Sequence, residues 1–388
     1  MEKKTSKRKI SVFTGNRAEY GLLRPVVKEL LSRRGCSIRL IVSGSHLSEK
    51  FGKTCTEIED TEKLELDTIF LPQSDMCKNI IPAFAGILTE GLGLLAATKP
   101  DLLVLVGDRY ESYAMAISAF YSNIPIAHLF GGDLSQGGHL DDSVRHSITK
   151  LAHLHFVSNR DSRRRVLRLG EEAWRVFNVG STAIDNFLSG EFTKPQDIAR
   201  ELAIDLNKPV IVFTQHPVTT ESELAYDQIK EGLEALKEFG CQTVITYPCN
   251  DTGSDRMIKA IKEYTGVPHF RIRKSLGWKN YFGILKIASA VAGNSSSGIM
   301  ETPIFKVPCI NIGSRQQGRL RAENIIDVTY KKAAILKALH KAISDRSFLN
   351  RVKRSSNPYG KGGASIKIAD VIERVKLDKS LLQKIMTY

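Results

Sequence analysis

Along the chain, short runs of aliphatic and β-branched residues alternate with longer stretches in which apolar side chains recur every three or four positions. Runs without polar alternation suit strands buried on both faces, and the intervening period is that of amphipathic helices. Strand-helix-strand order throughout predicts parallel sheets with helices on both faces. Lys9–Thr14 reads as the first strand, followed by a helix whose buried face is Leu22, Leu23, Val26, Val27, Leu30 and Leu31, stopped by Gly35. Ile38–Ser43, Leu102–Val106, Pro125–Leu129, Leu154–Val157 and Val176–Val179 continue the series. A polar, strand-poor stretch over Ser189–Lys208 interrupts it. The pattern restarts with Pro209–Thr214, Thr243–Tyr247, His269–Arg271, Ala290–Ala292 and Cys309–Ile312. The expectation is an α/β chain of two Rossmann-like, doubly wound domains, 1–188 and 189–364, with a helical tail over 365–388 packed on one of them.

Composition adds a direction. With 388 residues, 42% hydrophobic and 25% charged, the chain is an ordinary folded protein of two domains. Its 56 Lys+Arg against 42 Asp+Glu leave a net charge of +14, which points to an anionic partner. Six cysteines are scattered without a CxxC pair or metal-ligand spacing, so a reduced, cytoplasmic protein without a metal site is expected. The apolar stretch behind the basic N-terminus is too short for a signal peptide. Ile80–Ala97 carries Glu90 and three glycines, which reads as a buried helix rather than a span. Arg160–Arg168 has no aromatic interleaving and reads as a solvated helix face. Neither nucleic acid nor membrane is therefore the expected partner, although the charge keeps a nucleic-acid-binding protein as the rival from another class.

In open α/β sheets ligands lie beyond the carboxyl ends of strands. Those positions hold Gly15-Asn16-Arg17, Ser45-His46, Asp108-Arg109, Gly131-Gly132-Asp133, Gln215-His216, Asn250-Asp251, Gly293-Asn294-Ser295-Ser296-Ser297-Gly298 and Ser314-Arg315. The small residues from Gly293 to Gly298 can face an anion at a helix start. The plainer alternative is a serine-capped turn. Glu301 falls in about the second turn, where a carboxylate can accept ribose hydroxyls. Asp108, Asp133, Asp141 and Asp142, with Arg109, Arg145 and His146, form a second constellation. Carboxylates gathered at strand ends offer a general acid and a general base. Asp141 and Asp142 can equally be dipole-favoured residues of a helix start. His46 and His216 are candidate imidazole donors. No GxGxxG follows the first strand, and Walker, GxSxG and HExxH motifs are absent.

Phe13-Thr14-Gly15-Asn16-Arg17-Ala18-Glu19-Tyr20, Gly107-Asp108-Arg109, Gly131-Gly132-Asp133, Asp141-Asp142-Ser143-Val144-Arg145-His146, Gln215-His216-Pro217, Gly293–Gly298 and Gly313-Ser314-Arg315-Gln316-Gln317-Gly318-Arg319 together resemble the hydrolysing UDP-N-acetylglucosamine 2-epimerases of sialic- and legionaminic-acid synthesis. The resemblance implies a glycosyltransferase-B-like fold with the active site in the interdomain cleft, no cofactor, no metal, and a homodimer or homotetramer. It implies that Arg17, Arg109, His216, Asn250, Ser295, Ser296, Glu301 and Arg315 bind substrate, and that Asp108, Asp133, Asp141, His46 and Arg145 are catalytic. UDP would leave C1 as a carboxylate takes the C2 proton. Hydration of the resulting 2-acetamidoglucal would then give N-acetylmannosamine. Phe130 and Cys249 depart from the usual residues at their positions. Phe130 is expected to offer an apolar sugar surface, and Cys249 to cost a uridine contact. These departures admit UDP-N,N'-diacetylbacillosamine as the alternative substrate; a non-hydrolysing epimerase and a glycosyltransferase of the same fold are further alternatives.

Overall fold

A computed structural model describes residues 7–49, 53–56, 58, 64, 66–70, 80–135, 139–249 and 251–388, without the side chains of Arg17 and His139. Asn250 and Cys77 lie outside the described residues. The chain divides into two compact units, one of residues 1–133, 140–188 and 359–388, the other of 134–139 and 189–358.

The first unit is built on seven strands: β1 (Arg8–Thr14), β2 (Cys36–Val42), β3 (Leu66–Thr68), β4 (Leu102–Val106), β5 (Ile126–Leu129), β6 (Leu154–Val157) and β7 (Val176–Asn178). Their order is β3-β2-β1-β4-β5-β6-β7, with every pairing parallel. Successive side chains of a strand point to opposite faces. Val12, Leu40 and Val104 accordingly pack with Leu23, Val26 and Leu30 of the helix Arg17–Ser32 and with Ile368 and Ile372 of Ala364–Arg374. Phe13, Ile41, Leu103 and Leu105 pack on the other face with Ile87, Met115 and Ile148.

The second unit repeats the plan with β8 (Val210–Thr214), β9 (Gln242–Thr246), β10 (Phe270–Arg273), β11 (Ala290–Gly293), β12 (Cys309–Ile312) and β13 (Ile325–Val328), in the all-parallel order β10-β9-β8-β11-β12-β13. The two doubly wound sheets expected from periodicity are present. Each reverses its winding between two central neighbours, β1 and β4 in the first, β8 and β11 in the second. The edge strands β3, with a single apolar residue, and β13, interrupted by Asp327, were both missed by the periodicity. Arg39 on β2 chelates Asp67 of β3 at 2.7 Å and 2.8 Å, while Arg321 holds Asp327 of β13 at 3.2 Å.

The helix Ile80–Thr98 departs from expectation. It is the one described helix long and apolar enough to cross a membrane by length and composition, yet only 22% of its apolar window is buried. Ala83, Ile87, Gly91 and Leu95 face inward, while Ile81 and Leu92 are exposed. Gly91 lets it lie close to the helix Tyr110–Tyr121, because a Cβ there would come within 2.8 Å of Met115 Sδ.

The tail begins at Tyr359 rather than 365 and packs on the first unit. Arg8 donates to the carbonyls of Ile372 and Val375, and Arg33 meets Asp370 at 2.9 Å and Glu373 at 3.1 Å. Fully buried Arg175 donates to Leu381 O at 2.7 Å, Ser380 O at 2.8 Å and Gln383 O at 3.1 Å, collecting the last carbonyls of the helix Lys379–Leu382. Lys384 Nζ donates to Lys150 O and Ala152 O and meets Glu171, each at 2.7 Å. Arg175→Met leaves those carbonyls without their charged donor. It should cost about 2 kcal/mol or more in denaturant unfolding and raise amide exchange over residues 379–385 while β1 and β4 stay protected. Unchanged exchange at Leu381 and Gln383 would contradict this account of the tail.

Candidate functional site

In the first unit the turns leaving β1 and β4 sit where the winding reverses, the place where open α/β sheets gather ligand groups. Asn16 caps the helix Arg17–Ser32, its Oδ1 accepting from Ala18 N at 3.0 Å and Glu19 N at 3.1 Å. Glu19 reaches back to accept the Gly15 amide at 2.8 Å. Gly15 has no room for a side chain, since a Cβ would lie 2.7 Å from Glu111 Cβ.

Arg145 joins the loops after β4 and β5 to the first turn of its own helix. Its guanidinium pairs with Asp108 and, at 2.5 Å, with Asp142, and it donates to Asp133 O at 2.7 Å. The arginine side chain is 2% exposed, against 23% for Asp108 and 17% for Asp142, so the carboxylates meet solvent while the cation does not. On the helix His139–Leu151 the spacing would also allow Arg145 to meet Asp141, four residues before it; in the structure Arg145 pairs with Asp142, three residues before, with Asp141 in the same first turn. The loop bearing Asp108 is fixed from behind by His128, whose Nε2 lies 2.8 Å from Gly107 O. Burial pushes His128 down to about 3, so it stays neutral and serves as a strut.

Several expected residues occupy other roles in this geometry. The Asp133 carboxylate turns toward the start of the helix Arg160–Arg168, where its Oδ1 accepts from Ser158 Oγ at 2.6 Å and Ser162 Oγ at 2.5 Å. His46 is fully buried, with Nε2 2.9 Å from Thr14 Oγ1 and Nδ1 2.7 Å from Thr54 Oγ1, so both ring nitrogens are engaged within the fold. Phe130 offers no sugar surface: it is 4% exposed and its ring joins the core with Leu129 and Phe156. Its φ of +64° is a strained position for a bulky residue, held by the Phe130 N to Phe156 O bond at 2.7 Å. Arg165, expected to face water, donates to Gly132 O at 2.7 Å, whereas Arg160, Arg164 and Arg168 are exposed as anticipated. His146 is pushed below its ordinary value by burial, with Arg145 and Arg165 adding to the effect.

In the second unit β8 and β11 are tied beyond their last backbone pair. Gly293 has φ +123°, and a Cβ there would lie 1.9 Å from Thr214 O, so only glycine fits. The following side chain, Asn294, accepts from His216 N at 2.6 Å and donates to His216 O at 2.8 Å, imitating another rung of sheet. Gln316 Nε2 and Arg315 Nη1 donate to Asn294 O at 2.8 Å and 3.3 Å, and Arg315 approaches Asp251 at 3.8 Å. His216 Nδ1 accepts from Cys249 N at 3.1 Å, which assigns its proton to Nε2. Position 249 therefore acts on this histidine through its backbone amide.

Ser295 occupies the N-cap of the short helix Ser296–Met300 but makes no capping bond, so its hydroxyl is not consumed as the serine-capped-turn alternative requires. Ser295 and Ser296 are both half-buried. Glu301 is bonded by Ser297 Oγ, which also lies 2.7 Å from Tyr281 OH, and burial raises the Glu301 carboxyl above its ordinary range. Sequence reasoning missed Glu19, Glu111, His128 and Tyr281, and took Ser297 only as one of the small residues of the Gly293–Gly298 loop. Only Glu19 carried a signal, since Asn16 followed three residues later by glutamate is a helix-start signature.

The Asn294 clamp makes a graded prediction. Asn294→Ala strands a buried amide and carbonyl of His216 and should destabilise by about 2–4 kcal/mol. Asn294→Asp keeps the acceptor, loses the donor and should fall between alanine and wild type. Equal thermal unfolding of all three proteins would overturn the clamp.

Residues 28–373 match the UDP-N-acetylglucosamine 2-epimerase family. A GDP/UDP-N,N'-diacetylbacillosamine 2-epimerase (hydrolysing) of Campylobacter jejuni is 39% identical over 83% of this chain and 84% of its own length. A UDP-N,N'-diacetylbacillosamine 2-epimerase (hydrolysing) of Legionella pneumophila is 34% identical over 98% of this chain and 100% of its own. Among solved structures, the UDP-GlcNAc 2-epimerase of Neisseria meningitidis bound to UDP-GlcNAc superposes with a TM-score of 0.80, covering 94% of this chain and 99% of that one at 18% identity, which shows a shared glycosyltransferase-B-like fold. By sequence over most of its length and by fold, the chain belongs to the UDP-N-acetylglucosamine 2-epimerase family.

Proposed function

We propose that this protein is a hydrolysing 2-epimerase of a UDP-linked 2-acetamido sugar, with UDP-N,N'-diacetylbacillosamine favoured over UDP-N-acetylglucosamine. The observation that carries the reading is the pair of relatives described as hydrolysing diacetylbacillosamine epimerases, at 39% and 34% identity. It reverses the order of substrates that the motifs suggested. Phe130 adds nothing to the preference, because its ring lies in the core.

The reaction takes a nucleotide sugar and water to UDP and a free 2-epimeric sugar. A carboxylate removes the proton at C2, the C1–O bond breaks toward UDP, and a 2-acetamidoglucal remains. Water then adds its oxygen to C1, and a proton returns to C2 on the opposite face. Asp108 and Asp141 are the proposed proton-transfer groups, being partly exposed carboxyls on the β4 loop and the first turn of the helix His139–Leu151. Arg145 orients Asp108 by pairing with its carboxylate. Asp133, with one oxygen taken by two serines, and His46, held between two threonines, are given positioning parts. In the second unit the hydroxyls of Ser295 and Ser296, the Nε2–H of His216 and the Arg315 guanidinium supply donors for a diphosphate, and Glu301 an acceptor for ribose hydroxyls. Arg17, Arg109 and Asn250 complete the proposed substrate-binding set.

Incubation in D2O should release UDP together with a free sugar carrying deuterium at C2. UDP release without the label would sink elimination, and a labelled product still linked to UDP would identify a non-hydrolysing epimerase. Side by side, the 4-acetamido-6-deoxy substrate should give a kcat/KM at least about tenfold above UDP-N-acetylglucosamine. Asp108→Asn should lower kcat by about 10²- to 10⁴-fold. A variant with wild-type kcat removes Asp108 from the chemistry.

A further inference from the structure

Behind the turns after β1, β2 and β4 lies a carboxyl pair that the mechanism above does not use. Glu19 is 5% exposed and Glu111 is 0% exposed. Glu19 accepts the Gly15 amide at 2.8 Å and the Ser112 hydroxyl at 3.1 Å, one on each oxygen. Glu111 lies against Gly15 and has Arg109 Nε 3.5 Å from its Oε2. The β2 turn closes the group. Gly44, at φ +62°, has no room for a Cβ, which would meet Gly15 O at 2.4 Å and Glu111 Oε1 at 3.2 Å, and Ser45 N donates to Gly15 O at 2.9 Å.

We propose that Glu19 and Glu111 are positioning residues for the reaction described above, on which this inference rests: a buried carboxyl pair that locks the Gly15 turn to Arg109 and so sets the loop carrying Asp108. Glu19 on the first helix and Glu111 on the helix Tyr110–Tyr121 come from opposite sides of the winding reversal. The pair joins two segments that backbone pairing of β1 and β4 leaves unconnected beyond the strand ends. Two buried carboxyls face one guanidinium, so the arrangement balances in charge when one proton is shared between them.

Burial, then repulsion from Glu111, raises Glu19 to about 8, against lowering by the Gly15 amide, Arg109 and Ser112. The native pair therefore holds its proton through neutral pH. Glu19 titrates near 4.5 when unfolded, so the stability tied to this proton is complete below about pH 4.5 and is lost as pH rises toward 8. Above that, a second negative charge opens the pair.

The test uses the full-length protein, with Glu19→Gln and Glu111→Gln compared with wild type. Glu19→Gln holds the neutral form permanently, so its melting temperature should gain on wild type between pH 5 and 8, and its kcat should hold as pH rises past about 8 where that of wild type falls. Glu111→Gln releases Arg109 and should lower kcat by about tenfold or more and raise KM for the nucleotide sugar, while the affinity for UDP stays within about threefold. Wild-type pH dependence of both stability and kcat in Glu19→Gln, or unchanged kcat in Glu111→Gln, would overturn the proposal. Should either variant fail to bind UDP or melt cooperatively, Glu111→Asp provides the kinetic comparison. Its partial recovery of kcat supports positioning, and no recovery with an intact fold opposes it. If wild type hydrolyses no UDP-sugar, the functional reading fails while the melting comparison still decides the pair.

Discussion

A guanidinium sealed from water has to be paid in full by its neighbours, and Arg145 is where the first unit meets that constraint. At 1% exposure its charge is balanced by Asp108 and Asp142 and its remaining donor capacity is directed to Asp133 O. These partners come from the loop after β4, the loop after β5 and the helix that follows, so one side chain determines how three segments end. A buried ion pair adds little net stability over an apolar replacement, but losing one partner leaves the other charge uncompensated. That asymmetry makes the geometry hard to alter piecemeal. It holds two carboxylates at the solvent boundary at the point where the sheet reverses its winding.

The second unit reaches a comparable end with backbone and amide groups. Asn294 extends the β8–β11 pairing by one side-chain rung, Gly293 permits the close approach, and Cys249 N sets the tautomer of His216. The hydroxyls of Ser295 and Ser296 are left outside this network of structural bonds. Under the proposed reading these differences divide the labour: the carboxylates of the first unit would move protons, and the hydroxyl, imidazole and guanidinium donors of the second would meet a diphosphate.

The excess of positive charge has a different use from the one composition suggests. Arg8, Arg165, Arg175, Arg271, Arg319 and Arg321 all donate to backbone carbonyls, those of Ile372 and Val375, Gly132, Leu381, Leu202, Leu134 and Gln316 among them. A planar fork of donors suits several carbonyls at once. Many of the arginines therefore fasten loops and the tail, rather than facing water or an anion.

Periodicity alone determined the two parallel sheets, because strands buried on both faces must be continuously apolar and the helices between them must be amphipathic. It also pointed to strand ends as the candidate site, since an apolar strand leaves its polar groups there. The short edge strands β3 and β13 escaped because β3 offers one apolar residue and Asp327 interrupts β13, leaving too little pattern to read. What tertiary structure decided was the direction in which each polar side chain points. Asp133 and His46 read identically to Asp108 in sequence, yet the former are turned into serine and threonine partners by helices and turns distant in the chain. Glu19 and Glu111 are ninety-two residues apart, and nothing in either local sequence says that they share a buried space. Hydrophobic pattern is a property of neighbours along the chain, whereas burial, pairing and proton affinity belong to neighbours in space, and only the fold supplies those.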